Sequence, residues 1–223
     1  MTRFALLVAS LLIAGSVSAT EIPLKNADFE QPIAGKRIPG WARIQHAGLG
    51  AYEVTTDTKN AAHGKSSISM RRTAEQVYGL IMQRVESKDL GGKQVEMTAM
   101  LKTAKVGKEG WVMVMTFKNY SNILDQVLAA PMVGNTDWKE VVLKSVAPPT
   151  TNMVEVGFML MDEGTGWADH VRLRSIDVES EETAAKDKPE AAGKAETSAK
   201  KGKTDKPEAD SQKSNAKAGA GTR

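Results

Sequence analysis

Three stretches of this chain alternate their apolar residues with a period of two. Residues 94–102 (QVEMTAMLK) place Val95, Met97, Ala99 and Leu101 on one side. Residues 111–117 (WVMVMTF) do the same with Trp111, Met113, Met115 and Phe117, and residues 153–161 (MVEVGFMLM) with Val154, Val156, Phe158 and Leu160. This period cannot build the stripe of an amphipathic helix, but it suits a strand with one buried face. In the second and third stretches the opposite side also carries Val or Met, which predicts central strands or an outer face that forms a partly covered groove. Further strands are expected over 66–72, 77–85, 138–146 and 168–177, and shorter ones near 28–31, 41–46 and 51–56. Gly, Pro and Asn punctuate them, at Pro39-Gly40, His63-Gly64, Gly91-Gly92, Gly107 and Pro148-Pro149 among others. Short strands with such regular breaks predict an all-β sandwich or barrel. Residues 119–130 read as a short helix or as a loop with one edge strand. In the opening stretch NADFEQPIAGKRIPGW, Phe29 is expected to point inward and Asp28 and Glu30 outward, with Pro39-Gly40 turning the chain to deliver Trp41.

The ends of the chain read differently. Arg3, the apolar run Phe4–Ala14 and the small residues Val17-Ser18-Ala19 have the order of a Sec signal peptide cleaved after Ala19. The expected location is therefore the periplasm or the medium. No later run is long and apolar enough to span a membrane. From residue 179 to 223 there is no aromatic residue and no Leu, Ile or Met, so a disordered Lys/Ala/Glu-rich tail is expected there. Residues 20–178 remain as one domain, and without cysteine its packing has no disulfide to rely on. A formal net charge of +3 implies neither nucleic acid nor an anionic membrane as partner.

Five motifs occur in order over 26–174: NADFE…PGW, HGKSSISM, LKT followed by an alternating Trp segment, a second Trp segment ending in APP, and GWADHVRL. In this order they resemble the galactose-binding-like jelly roll of carbohydrate-binding modules of the family 4/9/22 type. The resemblance implies an all-β, two-sheet antiparallel β-sandwich and a structural calcium that ties the first strand to the last. Its ligands would be the Glu30 and Asp169 side chains and the Lys65 carbonyl. The chain departs from that pattern in its loop NAAHGKS, where Ala61 and Ala62 offer no carboxylate. The alternative is that Glu30 and Asp169 accept hydrogen bonds from Lys or from backbone N–H groups.

The resemblance also implies polysaccharide or oligosaccharide binding on a concave sheet face. Sugar rings stack on aromatic faces and their hydroxyls take polar partners. The four tryptophans fall at scaffold positions and are expected in the core. Tyr78, Gln83, Arg84, Asn119 and Tyr120 remain as the candidate ligand contacts. Catalysis finds no support: there is no cysteine, His46, His63 and His170 are scattered, and no nucleophile, zinc or phosphate motif appears. The expectation is a non-catalytic binding module. An envelope protein partner is the alternative to sugar, because Met113, Met115, Met159 and Met161 would make adaptable apolar surface.

Overall fold

The computed structural model describes residues 18–177. Most of the expected signal peptide, and the expected tail over 179–223, lie outside the described residues. Within them the chain forms ten strands: β1 Ala19–Glu21, β2 Ala42–Gln45, β3 Tyr52–Asp57, β4 Ser67–Arg72, β5 Gly79–Glu86, β6 Gln94–Asn119, β7 Asn122–Leu128, β8 Met132–Val146, β9 Met153–Leu160 and β10 Thr165–Ile176. All pairings are antiparallel, and no helix occurs among the described residues.

The hydrogen-bonded path β2-β5-β9-β6-β10-β4-β3 is continuous. It doubles over into two layers because β6, 26 residues long, belongs to both. Residues 94–104 of β6 pair with β10 on one side, and that half also pairs with β8; from Trp111 to Lys118 the strand lies between β9 and β7. The bend falls between the halves, where Lys105 (φ 53°) and Gly110 (φ 83°) enter the left-handed region and the register with β8 slips repeatedly. A bulged strand that changes sheets is how such corners are made. Sheet I is thus β3-β4-β10-β6-β8 with β1 beside the end of β10, and sheet II is β2-β5-β9-β6-β7.

Three expectations are corrected. Residues 94–102 and 111–117 are one bent strand rather than two strands parted by a turn. Residues 28–31 are not a strand: Asn26 (φ 48°) and Phe29 (φ 50°) curl the segment into a hook. β8 begins at Met132 rather than at residue 138, whereas residues 119–130 take the edge-strand alternative, as β7.

The inward residues of both sheets fuse into one core. Trp111 and Phe158 stack at 5.8 Å, and Trp41 lies 5.1 Å from Phe29 and 6.0 Å from Phe158, measured between ring centroids. Each large side chain so buried stabilises the fold by roughly 1.5–3 kcal/mol. Where the layers approach, bare glycines face rings: Gly79 of β5 lies against Tyr52 of β3, and Gly166 of β10 against Trp111. The hook closes one side of the sandwich. Ile22 N–H donates to the Leu173 carbonyl and Val171 N–H to the Ala27 carbonyl, which ties the hook to sheet I. Gln83 of sheet II grips it from the other side, with Oε1 accepting from Lys25 N–H (2.7 Å) and Nε2 donating to the Lys25 carbonyl (2.9 Å).

Candidate functional site

The outer face of sheet II is a groove. Antiparallel register places Leu80, Met82, Arg84 and Glu86 of β5 beside Met159, Gly157, Glu155 and Met153 of β9. Those pair in turn with Val112, Val114, Thr116 and Lys118 of β6. Leu128, Gln126 and Ile123 of β7 complete the rows opposite Val114, Thr116 and Lys118. Although these side chains point away from the core, Val112 is only 2% exposed, Val114 5%, Thr116 5% and Met82 8%. A curved face whose side chains shelter one another gives that result, and the central Gly157 adds no side chain to fill the hollow. Ile44, Leu80 and Met82 line one flank and Ile123 and Gln126 the other, around a volume of about 260 Å³.

Polar chemistry crosses this floor in one band. Arg84 Nη2 reaches Glu155 Oε1 at 2.7 Å and Lys118 Nζ reaches the same oxygen at 3.2 Å. Beside them Gln126 Nε2 donates to Thr116 Oγ1 at 2.8 Å. Tyr78 closes the end of the groove nearest Leu80, with its ring edge-on to His46 at 5.5 Å.

The residues expected to contact ligand are therefore dispersed. Tyr78 and Arg84 face the groove. Gln83 does not: it is 5% exposed, points inward, and its amide is spent on Lys25 of the hook. Alternation along β5 dictates this, because neighbours of Arg84 on a strand must face the other way. Tyr120 is 77% exposed at the far end of β6, past a φ of 51°, and lines a separate cleft with Glu86, Lys88, Pro149 and Asn152. Asn119 supports that cleft through Asn152, whose Nδ2 donates to Asn119 Oδ1 and whose Oδ1 accepts from Tyr120 N–H. Eight strand residues separate Tyr78 from Glu86, roughly 27 Å, so the two tyrosines stand at opposite ends of one face. Sequence reasoning missed the floor residues Leu80, Met82 and Val114. The Val and Met on the outer side of the alternating runs were their signal.

The structure sets Glu30 and Asp169 against one loop, residues 62–66, which includes Lys65. Their contacts are with N–H donors. Glu30 Oε1 accepts from Lys65 N–H (2.7 Å) and Ser66 N–H (3.1 Å). Asp169 Oδ2 accepts from Ala62 N–H (2.8 Å) and His63 N–H (2.9 Å), and its Oδ1 from His170 N–H (2.7 Å). Gly64 (φ 65°) lets the loop press this close, since a β-carbon there would strike the Glu30 carboxylate. The Lys65 and Ser66 N–H groups hold the Glu30 carboxyl below its usual range, whereas burial pushes Asp169 up. Calcium takes six to eight oxygen ligands. Here N–H groups converge instead, three of the four carboxylate oxygens are taken, and Lys65 presents its N–H rather than its carbonyl to Glu30. The residues as placed do not fit the ion. Among the described residues no group of three or more His, Asp or Glu is arranged to hold a metal. Nearby, His170 and His63 stack at 4.0 Å, and His170 Nδ1 lies 3.1 Å from Asp28 Oδ1.

The tryptophan expectation divides. Trp41 and Trp111 are core residues, 5% and 0% exposed. Trp138 and Trp167 are half-buried on the outer face of sheet I, which corrects their assignment to the core.

No protein-family model matches the sequence, and no curated protein matches it. Solved structures do. A cyclase from Fischerella sp. TAU, also seen in complex with (3Z)-3-(1-methyl-2-pyrrolidinylidene)-3H-indole, is 16% identical, covering 73% of this chain and 100% of its own at a TM-score of 0.57. The enzymatically active domain of tailspike protein 4 of bacteriophage CBA120 is 17% identical with a TM-score of 0.51. That match covers 61% of this chain, which spans only 19% of the tailspike. The xylan-binding domain CBM22-1 of Paenibacillus barcinonensis Xyn10C is also similar, at 16% identity over 63% of this chain and 88% of that one, with a TM-score of 0.46. At such identities the likeness is one of fold: this chain is an antiparallel β jelly roll, as the order of its five motifs implied, and its alternation had implied an all-β fold.

Proposed function

We propose that this protein is an exported, non-catalytic binding module that holds an extended carbohydrate along the outer face of sheet II. The carrying observation is the sheltered groove, with Val112 and Val114 nearly buried on a solvent-side face. An apolar floor accepts the C–H faces of sugar rings, while the Arg84–Glu155–Lys118 and Thr116–Gln126 groups suit hydroxyls. Tyr78 supplies an aromatic surface at one end, and Tyr120 offers another beyond the opposite end. Binding rather than turnover is supported by the lining itself. Around the volume bounded by Tyr78 and Gln126 the one carboxylate, Glu155, is committed to two cations, whereas glycoside hydrolysis uses two opposed carboxyl groups. Export is supported by the N-terminal Arg, apolar run and small residues.

The test is retention of the full chain in affinity gels containing xylan, galactan or hydroxyethyl cellulose. Tyr78→Ala is expected to weaken retention severalfold. A groove whose Met82 and Met159 methyl NMR signals ignore every polysaccharide would end the reading.

A second reading rests on the same floor. Ile44, Ile123 and Leu128, 41%, 64% and 44% exposed, form apolar rims that suit a protein partner. Concentration-dependent self-association abolished by Ile44→Lys would favour it over sugar.

A further inference from the structure

The two outward tryptophans lie in one row of sheet I. Trp167 of β10 pairs with Lys102 of β6 on one side and Ser69 of β4 on the other. Across Lys102, the register with β8 slips: Leu101 opposes Lys139 and Thr103 opposes Thr136. One residue of β6 therefore faces two of β8, a bulge that delivers Asp137 and Trp138 together beside Lys102. Trp138 shares the outward side with Glu140, Val142 and Lys144, and Trp167 with Lys102, because side chains alternate along each strand. The row reads Thr55–Ser69–Trp167–Lys102–Trp138 across five strands.

This row is built rather than incidental. The Trp167 indole N–H donates to Asp57 Oδ2 at 2.8 Å, which fixes the ring. The Asp137 carboxylate accepts from Trp138 N–H at 2.8 Å and lies 3.3 Å from Lys102 Nζ. The two indoles rise from strands two spacings apart, roughly 10 Å, with the Lys102 ammonium on the strand between them and the Asp137 carboxylate against it. Stacked rings at each end and a paired donor and acceptor in the middle match a linear sugar chain, which alternates C–H faces with hydroxyl edges. A polyanion is disfavoured at the row itself, where the Asp57 and Asp137 carboxylates flank the one ammonium of Lys102. The Asp57 and Asp137 carboxyls are held below their usual range, Asp57 by the Trp167 and Asn60 donors against the opposing effect of burial, and Asp137 by Trp138 N–H and Lys102. Glu140 is exposed beside them, and Glu53 is paired with Arg71.

We infer that Trp138, Lys102, Asp137 and Trp167 form a second carbohydrate site, on the outer face of sheet I, for a neutral linear polysaccharide crossing the strands. It stands independently of the groove on sheet II.

The experiment follows the indole N–H signals of the four tryptophans in the ¹⁵N-labelled full chain during titration with xylohexaose, cellohexaose and a galactan oligomer. Polygalacturonate serves as the anionic probe. Expected are shifts at Trp138 and Trp167 with at least one neutral oligomer, and none at Trp41 or Trp111. Trp138→Ala should weaken that binding about tenfold or more. Lys102→Ala, which leaves both rings in place, should weaken it severalfold and guards against misfolding of the tryptophan variant. Unmoved Trp138 and Trp167 signals with all three oligomers would overturn the inference, as would tighter binding of polygalacturonate. Methyl signals of Met82 and Met159 report the groove of sheet II separately, so either site can fail alone.

Discussion

The outer faces of the two sheets are built from opposite materials. Sheet II presents Leu80, Met82, Val112, Val114 and Met159 around a bare Gly157, and one polar band. Sheet I presents Arg174, Glu96 and Lys144 in one row, Arg172, Thr98 and Val142 in the next, and the tryptophan row beyond. Glu96 is 3% exposed on that outer face, bridged by Arg174 and by Lys144 at 2.6 Å. Its burial pushes its carboxyl up, but the two cations prevail and hold it below the usual range. One face is therefore sheltered by apolar contact and the other by ion pairs. The apolar floor of the first face tolerates no unpaired charge, and a face of the second kind depends on pH.

Substitution breaks this comparison most severely on sheet II. Val114→Asp would place a carboxylate on a floor position that is 5% exposed, with a cost of about 3 kcal/mol or more. Thr98→Asp on sheet I, with Arg172 paired opposite, should stay within about 0.5 kcal/mol. Urea unfolding of the two variants measures both, and equal losses would erase the distinction. The hook gives the next effect. Asp169→Asn replaces an acceptor of three N–H donors and should cost about 1–3 kcal/mol.

The same hook sharpens the comparison through pH. Glu30 has a folded pKa below its ordinary 4.5, so its stabilisation is present above that value and is lost as pH falls through the lower, folded one. Asp169 has the opposite sign: its pKa is raised by burial, so its contribution is present in acid and is lost as pH rises through the folded value. Glu30→Gln should flatten the acid arm of a stability–pH curve, and Asp169→Asn should remove the opposing component. An acid arm unchanged in Glu30→Gln would sever the hook from the response. The smallest effect is expected from Arg84→Ala. Its side chain is 55% exposed and its partner Glu155 keeps Lys118, so stability should move by less than about 1 kcal/mol.

Much of this architecture could be read from residue order. Alternation at Val154–Leu160 and Trp111–Phe117 specified buried faces, and the Val and Met opposite them left two alternatives, central strands or a partly covered groove. The inward Phe29 and the outward Asp28 and Glu30 were also legible, although the hook that holds them is not a strand. Gln83 was misplaced because its neighbours Tyr78 and Arg84 share a face and it lies one residue out of phase. Trp138 and Trp167 were assigned to the core because they fall at scaffold positions of the resembled pattern, and motif order does not record which face a strand residue occupies.

By itself the sequence determined the class of fold, since a two-residue period permits one buried face per strand and nothing helical. Tertiary structure alone decided that residues 94–119 form one strand shared by both layers, that N–H groups surround Glu30 and Asp169, and that Trp138 meets Trp167 across Lys102. Each depends on register between segments far apart in the chain, and register is set by the fit of whole strands against one another, which a local pattern of polar and apolar residues does not encode.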